Sequence, residues 1–235
     1  MRVVIPPFHR FSTLFVSNVY LLDGGRGDRW LVDCGHWTER VQLLAELRRT
    51  GIQPSELTGV LLTHRHSDHA GNAGYLHKEF GVKIYAHRDD ADVLEGTAPR
   101  AVMGGKGHLL ERTLCAIENR WPARVKVERG LKAGDAIASL EVHHVPGHTE
   151  GSVFYRHAGT GCLLTGDTLL TARPPLTIIQ DIVKPYDAYS LDLKQAHASL
   201  DAFHAQGWDY EHVLAGHGKP LVSNARARVL AAWAT

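Results

Sequence analysis

The sequence predicts an α/β protein that forms a single domain over residues 1–235. Two β-rich runs open the chain on either side of a glycine-rich turn. A buried apolar run is followed at once by a turn and a helix, and short β runs separated by Pro and Gly fill the second half. The formal net charge is +1, from 26 basic and 25 acidic residues. We therefore expect a small-molecule substrate, and neither nucleic acid nor a membrane as the main partner.

The first half of the chain alternates predicted strands and helices. Strands at 16–22 and 29–33 form a hairpin, and Thr38 is the expected cap of a helix that ends at Gly51. The side chains expected to face the core on this helix are Val41, Leu44, Ala45 and Leu47. Strands at 59–62 and 82–86 and a short helix at 88–94 follow.

Residues 96–124 read as a long insertion with a possible helix over 108–117. We expect this insertion, together with the segment 174–189, to select the substrate. Its apolar members are then expected to line a pocket above the metal site, the alternative being a small core under a surface loop. Among these apolar members are Met103, Leu109, Leu110 and Trp121. Later predicted elements are strands at 137–145, 152–156, 162–165 and 211–214, a helix over 188–205 and a terminal helix from Asn224.

The run at 63–69 has the pattern HxHxDH and carries the functional prediction. It places His64, His66, Asp68 and His69 directly after the buried strand at 59–62. Ligands therefore lie at the carboxyl end of a strand, where active sites of layered α/β proteins are found. Ordinary histidines are the alternative, but three imidazoles and a carboxylate this close would repel or lack polar partners unless a cation organised them. The pattern predicts a divalent metal site.

Three further phrases each place one ligand residue beside glycines at the end of a β run. They are Gly147-His148, Gly166-Asp167 and Gly216-His217-Gly218. Glycine lets the backbone turn sharply and keeps bulk away from an ion.

Together with residues 64–69, these phrases resemble the metallo-β-lactamase superfamily, and within it the glyoxalase II type of thioester hydrolase and its single-domain relatives. The resemblance implies a four-layered αβ/βα sandwich of two mixed β-sheets flanked by helices. It also implies a dinuclear hydrolase that uses a metal-bridging hydroxide on a small ester, thioester or lactone.

The same resemblance assigns the ligands. His64, His66 and His148 would bind one ion, Asp68, His69 and His217 a second, with Asp167 as the bridge. We expect two divalent ions, zinc in the first place, with iron or manganese as alternatives. Asp68 is also the catalytic candidate, because it could orient the hydroxide or pass a proton to the leaving group. Asp33 is either a residue that holds a ligand imidazole or a plain turn residue.

Other activities stay open at this stage. A mononuclear iron-dependent persulfide dioxygenase resembles this pattern closely, and a β-lactam or phosphodiester hydrolase is a further alternative. Glyoxalase II chains continue into a helical domain, whereas only residues 218–235 follow His217, which disfavours glutathione thioesters. Homoserine-lactone hydrolases often place a Tyr after the bridging Asp, and here Tyr186 or Tyr189 would have to replace it.

The cysteines Cys34, Cys115 and Cys162 are far apart and include no CxxC pair, which predicts buried free thiols in a reducing compartment. The chain shows no signal-peptide pattern and no apolar run of about 20 residues. We therefore expect a cytoplasmic protein.

Overall fold

The computed structural model describes residues 2–104, 106–173 and 178–234. It divides into two compact units, Met1–Pro99 with Pro122–Leu131, and Arg100–Trp121 with Lys132–Thr235. Residues 174–177, which belong to the segment predicted to select the substrate, lie outside the described residues. The prediction of a single domain over 1–235 stays a prediction.

The first unit contains a seven-stranded mixed sheet whose strands follow one another in chain order. The strands are β1 (Arg2–Ile5), β2 (Phe8–Arg10), β3 (Tyr20–Asp23), β4 (Arg29–Val32), β5 (Gly59–Leu61), β6 (Ile84–His87) and β7 (Arg129–Leu131). Neighbours from β1 to β4 are antiparallel, and those from β4 to β7 are parallel. The helices are α1 (Arg40–Arg49), α2 (Ser67–Ala70), α3 (Ala73–Phe80) and α4 (Arg88–Glu95).

One row of apolar side chains crosses the centre of this sheet. Leu21, Leu31, Val60 and Ile84 are register partners on β3 to β6, and each is no more than 1% exposed. They share one core with residues of α1 and α3, including Leu43. Burial of this row against the helices fixes the strand register, because a slip of one residue would turn every side chain to the other face.

The face that α1 buries differs from the predicted one. Leu43, Glu46 and Leu47 are buried, whereas Val41 is 71% exposed. Thr38 lies in a 3-10 turn (Trp37–Glu39) instead of capping α1. Of the predicted core-facing residues of α1, Leu47 is buried as expected. The buried Glu46 carboxylate accepts the backbone N–H groups of Ser12 and of the residue after it. Strand β3 likewise begins later than predicted.

The second unit contains a five-stranded mixed sheet of order β14-β11-β10-β9-β8 and a two-stranded sheet of β12 and β13. The strands are β8 (Ala136–Ile137), β9 (Leu140–His144), β10 (Val153–His157), β11 (Cys162–Gly166), β12 (Leu170–Ala172), β13 (Gln180–Val183) and β14 (His212–Ala215). The helices are α5 (Leu109–Arg120), α6 (Leu193–Ala205) and α7 (Ala225–Ala234). Strands β11 and β14 are parallel.

Two predicted elements of this unit are divided or shortened. The single strand expected over 137–145 is a hairpin, because Ala138 and Ser139 have φ angles of 52° and 62° and form a tight turn between β8 and β9. The helix expected over 188–205 begins at Leu193, where the Asp192 side chain accepts the N–H of Gln195 as a cap. Two mixed sheets with helices confirm the predicted α/β class.

No helix within the described part of the chain is both long enough and apolar enough to cross a membrane. Cys34, Cys115 and Cys162 are free and buried, as predicted.

Candidate metal centre

The HxHxDH run lies at the carboxyl ends of parallel strands in the first unit, as predicted. Asp33 follows β4, and β5 leads into His64. His64, His66 and His69 are 1%, 4% and 0% exposed. The ring centroids of His64 and His66 are 4.8 Å apart, and those of His64 and His69 are 4.2 Å apart. Three buried imidazoles therefore converge within one unit.

Asp33 orients two of these imidazoles. Its Oδ2 atom lies 2.7 Å from Nδ1 of His69, and its carboxylate accepts both the backbone N–H and the hydroxyl of Thr63 at 2.8 Å. The Thr63 hydroxyl, whose one proton goes to Asp33, lies 3.1 Å from Nδ1 of His64. Both rings therefore donate from Nδ1, which leaves the Nε2 lone pairs of His64 and His69 for a metal. The interpretation of Asp33 as the residue that holds an imidazole is confirmed.

The backbone around Asp33 is held in an uncommon conformation. Its φ angle is 60°, in the left-handed region that few residues other than glycine adopt. The next residue, Cys34, donates from its backbone N and from Sγ to the carbonyl of His69. Burial raises the pKa of Cys34, so the thiol keeps the proton that it donates. Asn72 then donates to the carbonyls of Cys34 and His36. This network fixes His69 at its ring and at its carbonyl.

A buried ion pair stabilises the ligand loop from its other side. Nε of Arg65, between the first two histidines, lies 3.6 Å from Oδ1 of Asp90 on α4. Their side chains are 2% and 0% exposed. The carboxylate compensates a positive charge that would otherwise be buried beside a cation site.

Asp68 differs from its neighbours in exposure. Its Oδ2 atom lies 3.5 Å from Nε2 of His69, and its side chain is 26% exposed, so this carboxylate lies beside a candidate ligand and is also accessible to solvent. Its backbone carbonyl accepts the Ser17 hydroxyl. Burial lowers the pKa of the nearby His36, and the negative charges of Asp68 and Glu39 oppose that shift. Asp68 is therefore fixed through its backbone while its side chain stays accessible.

In the second unit, one carboxylate lies beside two histidines. Asp167 follows β11 and His217 follows β14, and these two strands are parallel neighbours. The residues just before them are also bonded, because Gly216 donates its N–H to the carbonyl of Gly166. Oδ2 of Asp167 lies 3.1 Å from Nε2 of His217 and 3.9 Å from Nε2 of His148. All three predicted ligands of this unit are thus within reach of a shared ion.

The position of His148 depends on a close approach between the backbone at Gly147 and helix α6. Gly147 has φ of 128°, and a Cβ there would lie 2.1 Å from the backbone N of Ala196 on α6. Only glycine fits such a contact. Nδ1 of His148 lies 3.5 Å from the Ser190 hydroxyl, and its carbonyl accepts the N–H of the residue after Ser190. The start of α6 therefore determines where the imidazole points.

Three histidines outside the candidate ligand set have structural partners. His87 caps α4 by accepting the N–H of Asp89, and His108 occupies the corresponding position at the start of α5. His143 packs against the rings of Phe203 and Trp208.

The four apolar residues of the insertion do not form one small core. Met103 is 7% exposed and exchanges two backbone hydrogen bonds with the side chain of Asn119. Leu109, Leu110 and Trp121 are 80%, 47% and 54% exposed. The small-core alternative is therefore wrong for these three, and the pocket stays a prediction. Of the two candidate tyrosines, Tyr186 donates its hydroxyl to Glu111 at 2.6 Å.

The donor set of each unit fits a borderline divalent ion. Buried imidazoles that share a pocket with a carboxylate suit zinc and related ions, and carboxylate and backbone partners that fix the ring orientation are typical of such sites. The ligand atoms of Asp68 and His69 lie within 4.8 Å of each other, as do those of Asp167 and His217.

Sequence reasoning missed several residues that support the ligands, namely Ser17, Cys34, Asn72, Asp90 and Ser190. Asn72 lies between glycines just after the ligand run and reads locally as a turn residue. Asp90 looks like an ordinary charged residue in the first turn of a helix. Their partners lie 25 or more residues away in the chain, so only the spatial arrangement reveals them.

Comparison with known proteins places this architecture in a family. A family model described as the metallo-beta-lactamase superfamily matches residues 12–211. The chain therefore belongs to this superfamily and has its fold, two mixed sheets flanked by helices, as the sequence predicted. It is a hydrolytic enzyme of that superfamily.

Individual relatives agree with this assignment. The probable metallo-hydrolase YybB of Bacillus subtilis is 27% identical over 181 residues, which cover 77% of this chain and 71% of that protein. A hydroxyacylglutathione hydrolase of Anaeromyxobacter dehalogenans is 33% identical, but the match covers 65% of this chain and only 46% of the relative.

Two solved structures have the same fold. The metallo-beta-lactamase family protein TTHA1429 of Thermus thermophilus has a TM-score of 0.70 and 25% identity, and the match covers 99% of this chain and 80% of that one. TTHA1623, solved in a di-iron-bound form, has a TM-score of 0.65 and 26% identity, with coverage of 97% and 98%.

Proposed function

We propose that this enzyme is a dinuclear metal-dependent hydrolase, with zinc as its metal, that acts on a small ester, thioester or lactone. The observation that carries the proposal is the placement of Asp167. Its carboxylate lies beside His217 and also beside His148, the two histidines that the family pattern gives to different ions. A bridging ligand must lie beside both, whereas a carboxylate that served one ion would need only one of these neighbours.

The proposed ligand sets follow from this bridge. His64, His66 and His148 would hold one ion, Asp68, His69 and His217 would hold the other, and Asp167 would serve both. Support comes from the first unit, where Asp68 lies next to His69, its partner in the second set. The tautomers favoured through Asp33 and Thr63 would leave Nε2 of His69 and of His64 able to bind the ions.

Two bound divalent ions would supply a hydroxide at neutral pH and polarise a carbonyl oxygen of the substrate. The chain's own contribution is to fix the donors and to move protons. Asp68 is the residue proposed for proton transfer, because its carboxylate is partly exposed while its backbone is held by Ser17. The buried histidines hold their rings still, which keeps the reacting groups in position.

Two observations bear on the metal and on the reaction. Zinc is proposed because imidazole and carboxylate donors suit it. Iron is the second candidate, because the relative TTHA1623 was solved with two iron ions. An iron-dependent oxygenase remains the alternative activity. Consumption of oxygen separates it from a hydrolase, which consumes none.

The experiment is a substrate panel on enzyme purified without added metal and then loaded with zinc, iron or manganese. The panel contains p-nitrophenyl esters, acyl thioesters, lactones, a β-lactam, bis-p-nitrophenyl phosphate and a low-molecular-weight persulfide. With at least one of the three metals, we expect the fastest turnover on an ester, a thioester or a lactone. This turnover should consume no oxygen. Turnover confined to a persulfide with oxygen uptake, or to the phosphodiester, would contradict the proposal. The Asp167→Ala variant is the inactive control.

A further inference from the structure

Helix α5 turns its apolar side chains to solvent. The residues that it buries are Glu111, Cys115 and Glu118. Leu114 and Ile117 are 39% and 36% exposed, and the other exposed apolar side chains nearby are Val102, Leu109, Leu110 and Trp121. An amphipathic helix on a protein surface normally has the opposite arrangement, with the apolar stripe facing the core.

Specific polar contacts hold α5 in this orientation. Glu111 accepts the Tyr186 hydroxyl at 2.6 Å, and Cys115 Sγ donates to the carbonyl of Ala188 at 3.2 Å. Glu118, near the other end, forms an ion pair with Arg100. Rotation of the helix to bury its apolar side would break all three contacts, and Tyr186, Arg100 and the carbonyl of Ala188 would lose these partners. The apolar face therefore stays outside in the isolated chain.

The exposed face has the spacing of a helix–helix seam. Leu110, Leu114, Ile117 and Trp121 are separated by four, three and four residues, the alternation of a and d positions in a coiled coil. A stripe that holds only these positions is narrower than a core-facing stripe and matches one partner helix. The seam itself contains no charged residue, so a charged ligand does not complement it.

We propose that this seam, defined by Leu110, Leu114, Ile117 and Trp121, binds the same seam on a second copy of the chain, with the two α5 helices antiparallel. Two-fold symmetry requires one self-complementary patch. Antiparallel pairing places Trp121 against Leu110 of the second copy, and Leu114 against its Ile117. Parallel pairing would instead crowd two tryptophans into one layer.

Area and flanking charge favour this occupant. The four seam residues together with the adjoining Val102 and Leu109 expose on the order of 600 Å² of apolar residue surface, the upper end for a monomeric protein. A stable interface buries roughly 800 Å² per partner, a figure that also counts its polar rim. At one border of the seam, antiparallel pairing sets Arg120 opposite Thr113 of the second copy. The other border carries Glu111 and Glu118, whose carboxylates are buried and bonded within their own chain. The inference does not depend on the metal assignments.

The first test is sedimentation velocity of the full chain from about 1 to 100 µM. We expect a dimer for the wild type, and at least about 30-fold weaker association for Leu114→Glu and for Ile117→Glu, because each buries a charge at the centre of the seam. Val41→Glu is the matched control, since Val41 is also an exposed apolar helix residue, and it should stay dimeric. Thermal melts check that each variant is folded.

The second test fixes the orientation by disulfide formation. A Leu114→Cys chain mixed with an Ile117→Cys chain should give a mixed disulfide under mild oxidation, whereas Leu114→Cys alone should not cross-link to itself. The native cysteines are buried and serve as an internal background. A wild type that is monomeric at 100 µM, or a dimer that neither glutamate variant weakens, would overturn the proposal. Efficient cross-linking of Leu114→Cys alone would overturn the antiparallel arrangement.

Discussion

Replacement of Asp33 by Asn should weaken metal binding although Asp33 is not a ligand. The variant keeps the size of the side chain, and Asn tolerates the left-handed backbone with φ of 60°. One oxygen can still accept the N–H of Thr63. The amide NH₂ group then replaces the oxygen that lies 2.7 Å from Nδ1 of His69. Because an amide NH₂ donates, Nδ1 must accept, and the ring proton moves to Nε2, the nitrogen needed for the metal.

Two independent estimates give the size of this effect. Loss of one buried hydrogen bond to a charged group costs about 1.5–3 kcal/mol. Loss of a residue that orients a metal-binding imidazole typically costs about 10- to 100-fold in metal affinity, or roughly 1.4–2.8 kcal/mol. The ranges overlap, so we expect zinc affinity to fall about 10- to 100-fold for the ion that His69 binds.

The assay is a competitive zinc titration against a chromophoric chelator, with the His69 tautomer followed by long-range ¹H–¹⁵N NMR. Asp28→Asn is the matched control. This control makes the same Asp-to-Asn change in the same unit, at an exposed residue. Oδ1 of Asp28 accepts the indole N–H of Trp30 at 2.6 Å, a bond that an amide oxygen can also accept. We expect wild-type zinc affinity for the control. Wild-type affinity in Asp33→Asn, with the Nδ1 proton retained on His69, would refute the reasoning.

Three further predictions concern catalysis, backbone fit and pH. Asp68→Asn should lower turnover much more than metal content, since an amide oxygen can still coordinate but cannot transfer a proton, and elemental analysis beside rate measurement checks this. Gly147→Ala should lower the free energy of unfolding by more than about 2 kcal/mol in chemical denaturation, because the new Cβ would collide with Ala196. Gly207→Ala is the control, since Gly207 also has a positive φ, of 73°, but open space around it, and it should lower the free energy of unfolding by about 1 kcal/mol. Burial lowers the pKa of His143, so the unfolded chain binds the proton more tightly, and the stability of metal-free protein should fall as pH drops below about 6.5. If the His143→Phe variant loses less stability between neutral and acidic pH than the wild type, this cause is supported. An unchanged dependence of stability on pH would exclude it.

The sequence was sufficient for features that depend on local spacing. The pattern at 64–69 is compact, and strand β5 before it is a short apolar run, so the position of these side chains at a strand edge was predictable. The positions of Asp167 and His217 at strand ends were predictable because glycines mark the turn after each strand. The hairpin turn at Ala138 and Ser139 was not, because neither residue commonly adopts positive φ.

Features that depend on distant partners were not predictable. The contacts of Asn72 and Asp90 join segments far apart in the chain. Helix α5 was found, but its orientation was hidden, because the amphipathic rule assumes that apolar residues face inward. In α5 the polar side faces inward instead, because Glu111 bonds to Tyr186 and Glu118 pairs with Arg100. The face of α1 was misassigned because it includes the buried Glu46, whose distant backbone partners an apolar pattern does not reveal.

The central claim is that two ions share Asp167, and metal stoichiometry tests it most directly. Protein purified without added metal should be loaded with zinc, desalted, and analysed by elemental analysis and native mass spectrometry. We predict two ions per chain for the wild type and a loss at both sites in Asp167→Ala, with hydrolysis abolished by chelator and restored by metal. A wild type that binds no more than one ion in excess zinc, or an Asp167→Ala variant that retains two ions at wild-type affinity, would contradict the account.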